Sequence, residues 1–310
     1  MISLGIDTSN YTTSVALYDG NDYKMIRKIL DVKQGMRGIR QSDGVFIHNR
    51  ELPELISELI SQTKIDVLGV STKPRNVEGS YMPVFTVGSG YAKAIASAMN
   101  VNYYEFSHQD GHIMAGIHSS NAYELLEKPF VSVHLSGGTT EILRSHYDGN
   151  KFSDEIIGGT LDISAGQLID RIGVSMGMKF PCGKELEKLA LTTDKTIPLP
   201  YSVKDSYVNL SGIETKLQNT ITQADPVIAR TVFVYIAEVL KRTILSALEQ
   251  TRLDKILIVG GVASNSIIRN ELAQEFGNNI YFASRELSSD NAVGIAILAY
   301  KGENKWKNVL

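Results

Sequence analysis

Two histidines about a third of the way along the chain have the residue type and spacing of metal ligands. The stretch His108-Gln109-Asp110-Gly111-His112 places two imidazoles four positions apart. On a helix this spacing brings both rings to one face, close enough to bind a single metal ion. The same spacing also arises on solvated helices that bind nothing. Its meaning therefore depends on which other residues converge on the pair.

A carboxylate near the end of the chain is a candidate third ligand. Ser288, Ser289, Asp290 and Asn291 directly precede an apolar helical pattern that starts at Ala292. One serine is enough to cap that helix, and capping alone remains the alternative. Two histidines and one carboxylate, with positions left open for a substrate, suit iron, manganese or zinc.

Two glycine-rich turns could accommodate a nucleotide. Ser136 to Thr140 contains no bulky side chain, so its backbone amides can approach a phosphate. Gly260 and Gly261 follow an apolar strand and precede a helix start, where amide donors are free. Asn265 could then hydrogen-bond to a ribose or a base edge. An ordinary hairpin turn and a helix cap are the alternatives for these two segments.

The chain repeats one arrangement of elements. Residues 4–17 and 133–143 each read as an apolar strand, a small polar turn, paired threonines and a second strand, and a Tyr-Asp-Gly turn follows each. Helical and strand patterns alternate after both; among them we expect helices over 91–99 and 226–250 and a strand over 280–282. This order predicts a duplicated α/β fold with mostly parallel sheets, an N-terminal lobe over 1–128, a C-terminal lobe over 129–310 and a ligand cleft between them.

Composition describes an ordinary globular protein. Its 310 residues are 43% hydrophobic and 21% charged, with a net charge of −3. This charge predicts no general affinity for nucleic acid or anionic membranes, so any RNA contact must come from a local patch. One basic stretch could serve, although a solvated strand and loop is the alternative; it contains Lys24, Arg27, Lys28, Lys33, Arg37 and Arg40.

Several features favour a cytoplasmic protein. Cys182 is the single cysteine of the sequence, which excludes an intramolecular disulfide and suits a reducing compartment. The first residues lack the pattern of a signal peptide. No apolar run approaches the length needed to cross a bilayer. We therefore expect no membrane association.

Taken in this order, the motifs resemble those of the Gcp/TsaD family. That family, once labelled O-sialoglycoprotein endopeptidases, is associated with threonylcarbamoyl transfer to an adenosine of tRNA beside the anticodon. The resemblance covers nearly the whole chain and is densest over 108–188 and 256–297. It implies a duplicated two-lobed actin/Hsp70-like ATPase (ASKHA) fold, which agrees with the internal repeat.

The resemblance also assigns site residues. It places a divalent metal, iron or zinc, on His108, His112 and Asp290, with Asp7 and Ser9 of the first hairpin facing the metal region. Magnesium bound with a nucleotide is a further cofactor it allows. It implies an ATP or acyl-AMP type of nucleotide, contacted by Leu135, Ser136, Gly137, Gly138, Thr139, Asp170, Gly183, Glu187, Gly260, Gly261 and Asn265.

The expected partners are tRNA, bound through the local basic patch, and companion proteins of the threonylcarbamoyl pathway. The companions include a shorter paralogue that lacks the metal histidines.

The sequence departs from the family at positions that concern the acceptor. Thr139 stands where histidine or asparagine is common, and Glu141 where glutamine is common. Glu214 replaces a lysine, which reverses the charge, and Cys182 replaces a glycine. These departures predict a diverged bacterial paralogue and leave the identity of the acceptor open.

The favoured hypothesis is a metal-dependent acyltransferase that moves threonylcarbamoyl from threonylcarbamoyl-AMP to tRNA. The backbone amides of Gly137 and Gly138 would stabilise the negative charge that develops during transfer. A transferase with another acceptor and a non-catalytic, nucleotide-binding regulatory paralogue are the alternatives. A metalloprotease is disfavoured, because Gln109 stands where the His-Glu-x-x-His motif requires glutamate, and Asp110 lies at a different angle on the helix.

Overall fold

The computed structural model describes residues 1–9, 12–30, 39–61, 63–288 and 292–307. The chain forms two compact units. The first contains Met1–Asn121, Tyr147–Ser153 and Ser289–Leu310, and the second contains Ala122–His146 and Asp154–Ser288. The chain first passes from the first unit to the second after Asn121. This point lies close to the boundary at residue 128 that the sequence predicts. The C-terminal segment, which the sequence assigned to the second lobe, belongs to the first unit.

The described residues contain two sheets. The strands are β1 (Ser3–Ser9), β2 (Thr12–Tyr18), β3 (Tyr23–Ile29), β4 (Val67–Lys73), β5 (Asn102–Ser107), β6 (Phe130–Leu135), β7 (Thr140–Tyr147), β8 (Phe152–Thr160), β9 (Val203–Lys204), β10 (Tyr207–Val208), β11 (Ile256–Val259) and β12 (Ile280–Phe282). The first sheet has the order β3-β2-β1-β4-β5, and the second has the order β12-β11-β6-β7-β8-β10-β9.

Helices connect these strands. In the described part of the chain they are α1 (Gln41–Ile60), α2 (Phe85–Met99), α3 (His108–Ser120), α4 (Ala165–Ser175), α5 (Gly183–Ala190), α6 (Ser211–Gln218), α7 (Pro226–Thr251), α8 (Ser266–Phe276) and α9 (Ala292–Lys307). None of the helices described is both long and apolar enough to span a membrane.

The predicted duplication is visible in the topology. β1 and β2 form an antiparallel hairpin, and β4 and β5 continue the sheet in parallel from β1. In the second sheet β6 and β7 form the hairpin, and β11 and β12 continue in parallel from β6. The strand order β3-β2-β1-β4-β5 is thus repeated as β8-β7-β6-β11-β12. The short repeat in the sequence, residues 4–17 and 133–143, therefore corresponds to two equivalent hairpins.

The first sheet has a different neighbour on each face. Leu4 and Ile6 of β1 pack with Leu52 and Ile56 of α1 in a buried apolar core. On the opposite face Gly5 lies against α9, where an added Cβ would collide with the carbonyl oxygen of Ala292. Because glycine has no side chain, α9 can lie directly on the strand backbone.

The core of the second unit forms around α7. Asp225 caps this helix by accepting hydrogen bonds from Val227 N at 2.7 Å and Ile228 N at 3.3 Å, and proline occupies the first turn. Val232 and Ile236 of α7 belong to the same buried core as Val133 of β6. Burying each such side chain contributes about 1.5–3 kcal/mol to folding.

Candidate functional site

The two histidines lie in the first turns of α3, in the first unit. Their ring centroids are 4.8 Å apart. His112 is 5% exposed, and the His108 side chain is 20% exposed. A capping box fixes the start of the helix: Ser107 Oγ accepts from Asp110 N at 3.0 Å, and the Asp110 carboxylate accepts from Ser107 N at 2.7 Å. The cap holds the pair at the point where β5 ends.

Asp7 contacts the first histidine from the end of β1. Its two carboxylate oxygens lie 3.2 and 3.1 Å from His108 Nδ1. Ser71 of β4 donates a hydrogen bond to the same carboxylate. The Asp7 side chain is 1% exposed, so its carboxylate lies in the protein interior, where water solvates a charge poorly. The first hairpin thus reaches the histidine pair.

The third predicted ligand, Asp290, lies outside the described residues. Among the residues described, no group of three or more His, Cys, Asp or Glu side chains has the geometry of a metal site. Two adjacent imidazoles, one of them backed by a carboxylate, are nevertheless a donor set that iron and zinc accept. His108 and His112 therefore fit the group that the family resemblance implies.

Asp110 has a structural role that removes it from catalysis. It is 0% exposed. Besides Ser107, it accepts from Asn76 Nδ2 at 2.9 and 2.8 Å and from Phe152 N at 2.9 Å. A carboxylate with its acceptor positions engaged in this way has none left to activate a water molecule. The arrangement supports the argument against a metalloprotease.

A second buried polar group in the first unit has no local signal in the sequence. His48 of α1 is 0% exposed, and its Nδ1 lies 2.8 Å from Thr13 Oγ1. Thr13 donates to Glu51 Oε2 at 3.2 Å, and Lys28 Nζ lies 3.1 Å from Glu51 Oε1. Burial lowers the pKa of His48, although the negative charge of Asp7 acts in the opposite direction. No local pattern marks His48, because it sits within an ordinary helical spacing.

In the second unit, the glycine turn between β6 and β7 follows the buried Leu135. Ser136 N donates to Thr139 O at 2.9 Å, and Thr139 N donates to Ser136 Oγ at 3.1 Å. Gly137 and Gly138 are exposed, and an added Cβ at either would meet nothing within 4 Å. Ser164 Oγ donates to Gly137 O at 2.8 Å, so the turn is held in place while its two glycines stay exposed. Their contact with a phosphate stays a prediction.

The other glycine turn lies against the first. Gly260 has a φ of 100°, and a Cβ there would collide with the carbonyl oxygen of Leu135. Gly261 follows in a short 3-10 turn, Gly261–Ser264. Asn265 then caps α8, accepting from Ile268 N at 3.0 Å. The structure thus joins the two glycine turns at the ends of β6 and β11.

Asn265 keeps its side-chain amide nitrogen unused in the described structure. The residue is 6% exposed. Its Nδ2 has no hydrogen-bond partner among the described residues. A buried, unused amide donor costs free energy unless a ligand or water satisfies it. This orphaned donor is the feature of the second unit that best fits a bound nucleoside.

The remaining predicted nucleotide contacts lie around the starts of α5 and α8. Glu187 accepts from Ser266 N at 2.7 Å and from Ser266 Oγ at 2.5 Å. Asp170 accepts from Cys182 N at 2.7 Å, and burial raises the pKa of the Asp170 carboxyl. Gly183 begins α5, where an added Cβ would meet only Ile169, at 4.0 Å.

The charge reversal at Glu214 is balanced within the second unit. Glu214 Oε2 lies 3.0 Å from Arg171 NH1, and Gln218 Nε2 donates to Glu214 Oε1 at 3.1 Å. Glu214 is 9% exposed. The acid at this position is thus part of a local network that a lysine would disrupt.

Comparison with solved structures identifies the class of fold. Full-length HypF in its phosphate- and nucleotide-bound form matches with a TM-score of 0.61 and 14% identity, over 97% of this chain and 55% of that chain. The ROK hexokinase from Thermus thermophilus matches with a TM-score of 0.57 and 12% identity, over 98% and 100%. The fold is therefore of the actin/Hsp70-like ATPase (ASKHA) class, and the predicted fold is confirmed.

Sequence comparison identifies the family. The TsaD model, tRNA N6-adenosine threonylcarbamoyltransferase, matches residues 44–297. A protein of that name from Thermosipho melanesiensis is 28% identical over 97% of this chain and 94% of its own length. A probable bifunctional tRNA threonylcarbamoyladenosine biosynthesis protein from Thermoplasma acidophilum is 30% identical over 97% of this chain and 56% of its length. The chain belongs to the TsaD family of tRNA-modifying transferases, which confirms the resemblance.

Proposed function

We propose that this protein is a metal-dependent carbamoyl-type transferase that moves threonylcarbamoyl from threonylcarbamoyl-AMP to an adenosine of tRNA. The single observation that carries the proposal is the histidine pair, His108 and His112, held at the start of α3 with Asp7 in contact with His108. The proposal further assigns Asp290 as the third ligand and iron or zinc as the metal. We also propose the cytoplasm as its location.

The proposal gives the second unit the task of binding the donor. The orphaned Nδ2 of Asn265 would donate to the nucleoside, with Asp170, Gly183 and Glu187 as further contacts. The glycine turn, Leu135 to Thr139, would lie against the phosphate through its exposed residues Gly137 and Gly138, with the second turn, Gly260-Gly261, beside it. AMP, the leaving group of this donor, is the product expected on the nucleotide side.

In the proposed transfer, the acceptor amine attacks the carbamoyl carbon and a C–N bond forms. The bond between that carbon and the phosphate oxygen breaks, so that AMP leaves, and the amine proton is released to solvent. The backbone amides of Gly137 and Gly138 would stabilise the negative charge that develops on oxygen. A divalent metal ion held by the histidines would supply Lewis-acid polarisation of a carbonyl or phosphate oxygen.

Partners are part of the proposal. The bifunctional name of the Thermoplasma acidophilum relative is consistent with a companion protein in the same pathway. The tRNA would contact the basic residues of edge strand β3, which include Lys24 and Arg27. Lys28 of the same strand is already paired with Glu51, so it contributes less free charge than the sequence suggested. Lys33 and Arg37 lie outside the described residues.

A non-catalytic, nucleotide-binding regulatory paralogue is the second candidate. The Arg171–Glu214 pair favours it, because the reversed charge is integrated into the fold. A transferase with a different acceptor would consume the donor, unlike the regulatory paralogue, but would leave tRNA unmodified, unlike the tRNA transferase.

The test uses the full chain, with and without companion proteins. Bound metal is measured by elemental analysis, and threonylcarbamoyl transfer from threonylcarbamoyl-AMP to unmodified tRNA is measured by nucleoside mass spectrometry. We expect His108→Ala and His112→Ala to lose both metal and transfer. His118→Ala is the matched control, since His118 lies on the same helix against Tyr18 and Tyr23 and should retain both.

Retention of metal and transfer in both histidine variants would overturn the proposal. Donor consumption without modified tRNA would indicate another acceptor. Nucleotide binding without donor consumption would indicate the regulatory alternative.

A further inference from the structure

The contact between Asp7 and His108 decides which nitrogen of the imidazole carries the proton. Both carboxylate oxygens lie within 3.2 Å of Nδ1. An ionised carboxylate only accepts hydrogen bonds, so Nδ1 must carry the proton of this contact. In a neutral imidazole the lone pair then resides on Nε2. Asp7 thus selects the tautomer that carries its proton on Nδ1 and its lone pair on Nε2.

The carboxylate is itself held from a third element. Ser71 Oγ of β4 donates to Asp7 Oδ1. β1 and β4 are parallel neighbours with Ile6 paired to Val70, so Ser71 stands beside Asp7 in the sheet. Ser71 is 0% exposed. With the hydroxyl on one side and the imidazole on the other, the carboxylate has little freedom to turn.

We propose that Asp7 is a positioning residue: held by Ser71, it fixes the tautomer and orientation of the His108 ring, so that His108 binds a divalent cation through Nε2. This inference deepens the proposed function and rests on its metal site. A carboxylate behind a metal-binding histidine raises the basicity of the ligand, and loss of such a partner typically costs about 10–100-fold in metal affinity.

The first experiment examines the tautomer in the metal-free protein. The ring nitrogens of His108 are assigned by ¹⁵N NMR at pH 8 in the full chain, with His108→Gln used to identify the signals. We expect a protonated Nδ1 and an unprotonated Nε2 in the wild type, and a mixture of tautomers in Asp7→Asn. A protonated Nε2 in the wild type would overturn the inference without bearing on transferase activity.

The second experiment measures Co²⁺ binding by visible absorption in competition with a chelator. We expect Asp7→Asn to lower the affinity by about 10–100-fold and to shift the cobalt absorption bands. Ser71→Ala, which keeps the carboxylate, should give a smaller loss in the same direction. Asp66→Asn is the matched control: Asp66 accepts from Ile2 N at 2.8 Å in the same unit, and its replacement should leave cobalt binding unchanged.

The outcomes separate the two proposals. If His108→Ala abolishes cobalt binding but Asp7→Asn and Ser71→Ala bind it like the wild type with the same spectrum, the positioning role is wrong and the metal site stands. If Asp7→Asn loses binding as completely as His108→Ala, Asp7 is a direct ligand and the inference fails. If the wild type and His108→Ala bind cobalt equally, the metal site itself is wrong. Should Asp7→Asn fail to fold, Ser71→Ala decides the same question.

Discussion

The side-chain amide of Asn76 donates to both carboxylate oxygens of Asp110, at 2.9 and 2.8 Å. The same amide donates to the carbonyl oxygen of Phe152 at 3.0 Å, while Phe152 N donates back to Asp110 at 2.9 Å. One buried carboxylate therefore ties the start of α3 to two segments that are distant in sequence. It stabilises the helix that carries the histidines and is not available to act on a substrate.

Asp110→Asn should lower the free energy of unfolding by about 2–4 kcal/mol, because one acceptor oxygen is lost and the new amide faces donors in a buried site. Urea denaturation followed by circular dichroism measures the effect. Asp19→Asn is the control, since Asp19 accepts two backbone hydrogen bonds in an exposed turn, and little change is expected there. An unchanged unfolding midpoint in Asp110→Asn would show that this network does not support the fold.

The side-chain oxygen and nitrogen of Asn265 can be tested separately, because the oxygen caps α8 and the nitrogen is the proposed nucleoside contact. Asn265→Asp keeps the oxygen that caps α8 but loses Nδ2, so stability should be retained while adenosine binding weakens by about 2–10-fold, the value of one hydrogen bond. Asn265→Ala should also lose about 1 kcal/mol of stability through the missing cap. Calorimetry with adenosine, which has no phosphate to repel the new carboxylate, measures binding. Equal affinity in the wild type and Asn265→Asp would exclude Nδ2 as a contact.

Glu214→Lys restores the residue type common in the family and should nevertheless destabilise this chain. The lysine would face the Arg171 guanidinium, which now lies 3.0 Å from Glu214. Because the Arg171 side chain is 40% exposed, we expect a moderate loss of about 1–3 kcal/mol. Thermal unfolding measures it. The double variant Arg171→Glu with Glu214→Lys should recover part of the loss, and a fully additive result would show that the two residues are not coupled.

Cys182 should be almost inert in the folded protein. Its side chain is fully buried, and burial, with the nearby charges of Asp170 and Glu185, raises its pKa to about 11. Since the thiolate is the reactive form, the rate of modification by a disulfide reagent should still rise with pH above 9. The unfolded chain should level off near the ordinary thiol pKa of about 8.5. A native rate that levels off below pH 9 would contradict this.

The same shift predicts a loss of stability at alkaline pH. The pKa of Cys182 is higher in the folded protein than in the unfolded chain. The contribution of the protonated thiol to the free energy of unfolding is therefore fully present below the unfolded pKa, and it is lost as pH rises towards about 11. Cys182→Ala should remove this part of the pH dependence.

Much of the fold could be predicted because its signals are local. The apolar spacing of residues 226–250 predicted a long helix, which the structure gives as Pro226–Thr251. The strand expected over 280–282 is Ile280–Phe282. The helix expected over 91–99 begins earlier, at Phe85, because Gly88 and Gly90 obscure the pattern. The spacing of apolar residues indicates which side of a helix or strand is buried, and this spacing can be read within the element itself.

The sequence by itself determined the duplicated α/β order, the histidine pair and the two glycine turns, since each is a short pattern with its own chemistry. Only the tertiary structure decided what surrounds them. Asp7 contacts a histidine 101 positions away, and His48 reaches Thr13 across 35. The C-terminal helix joins the first unit because Gly5 and Gly69 leave room for its backbone. Such contacts depend on the path of the whole chain, and no local spacing encodes them.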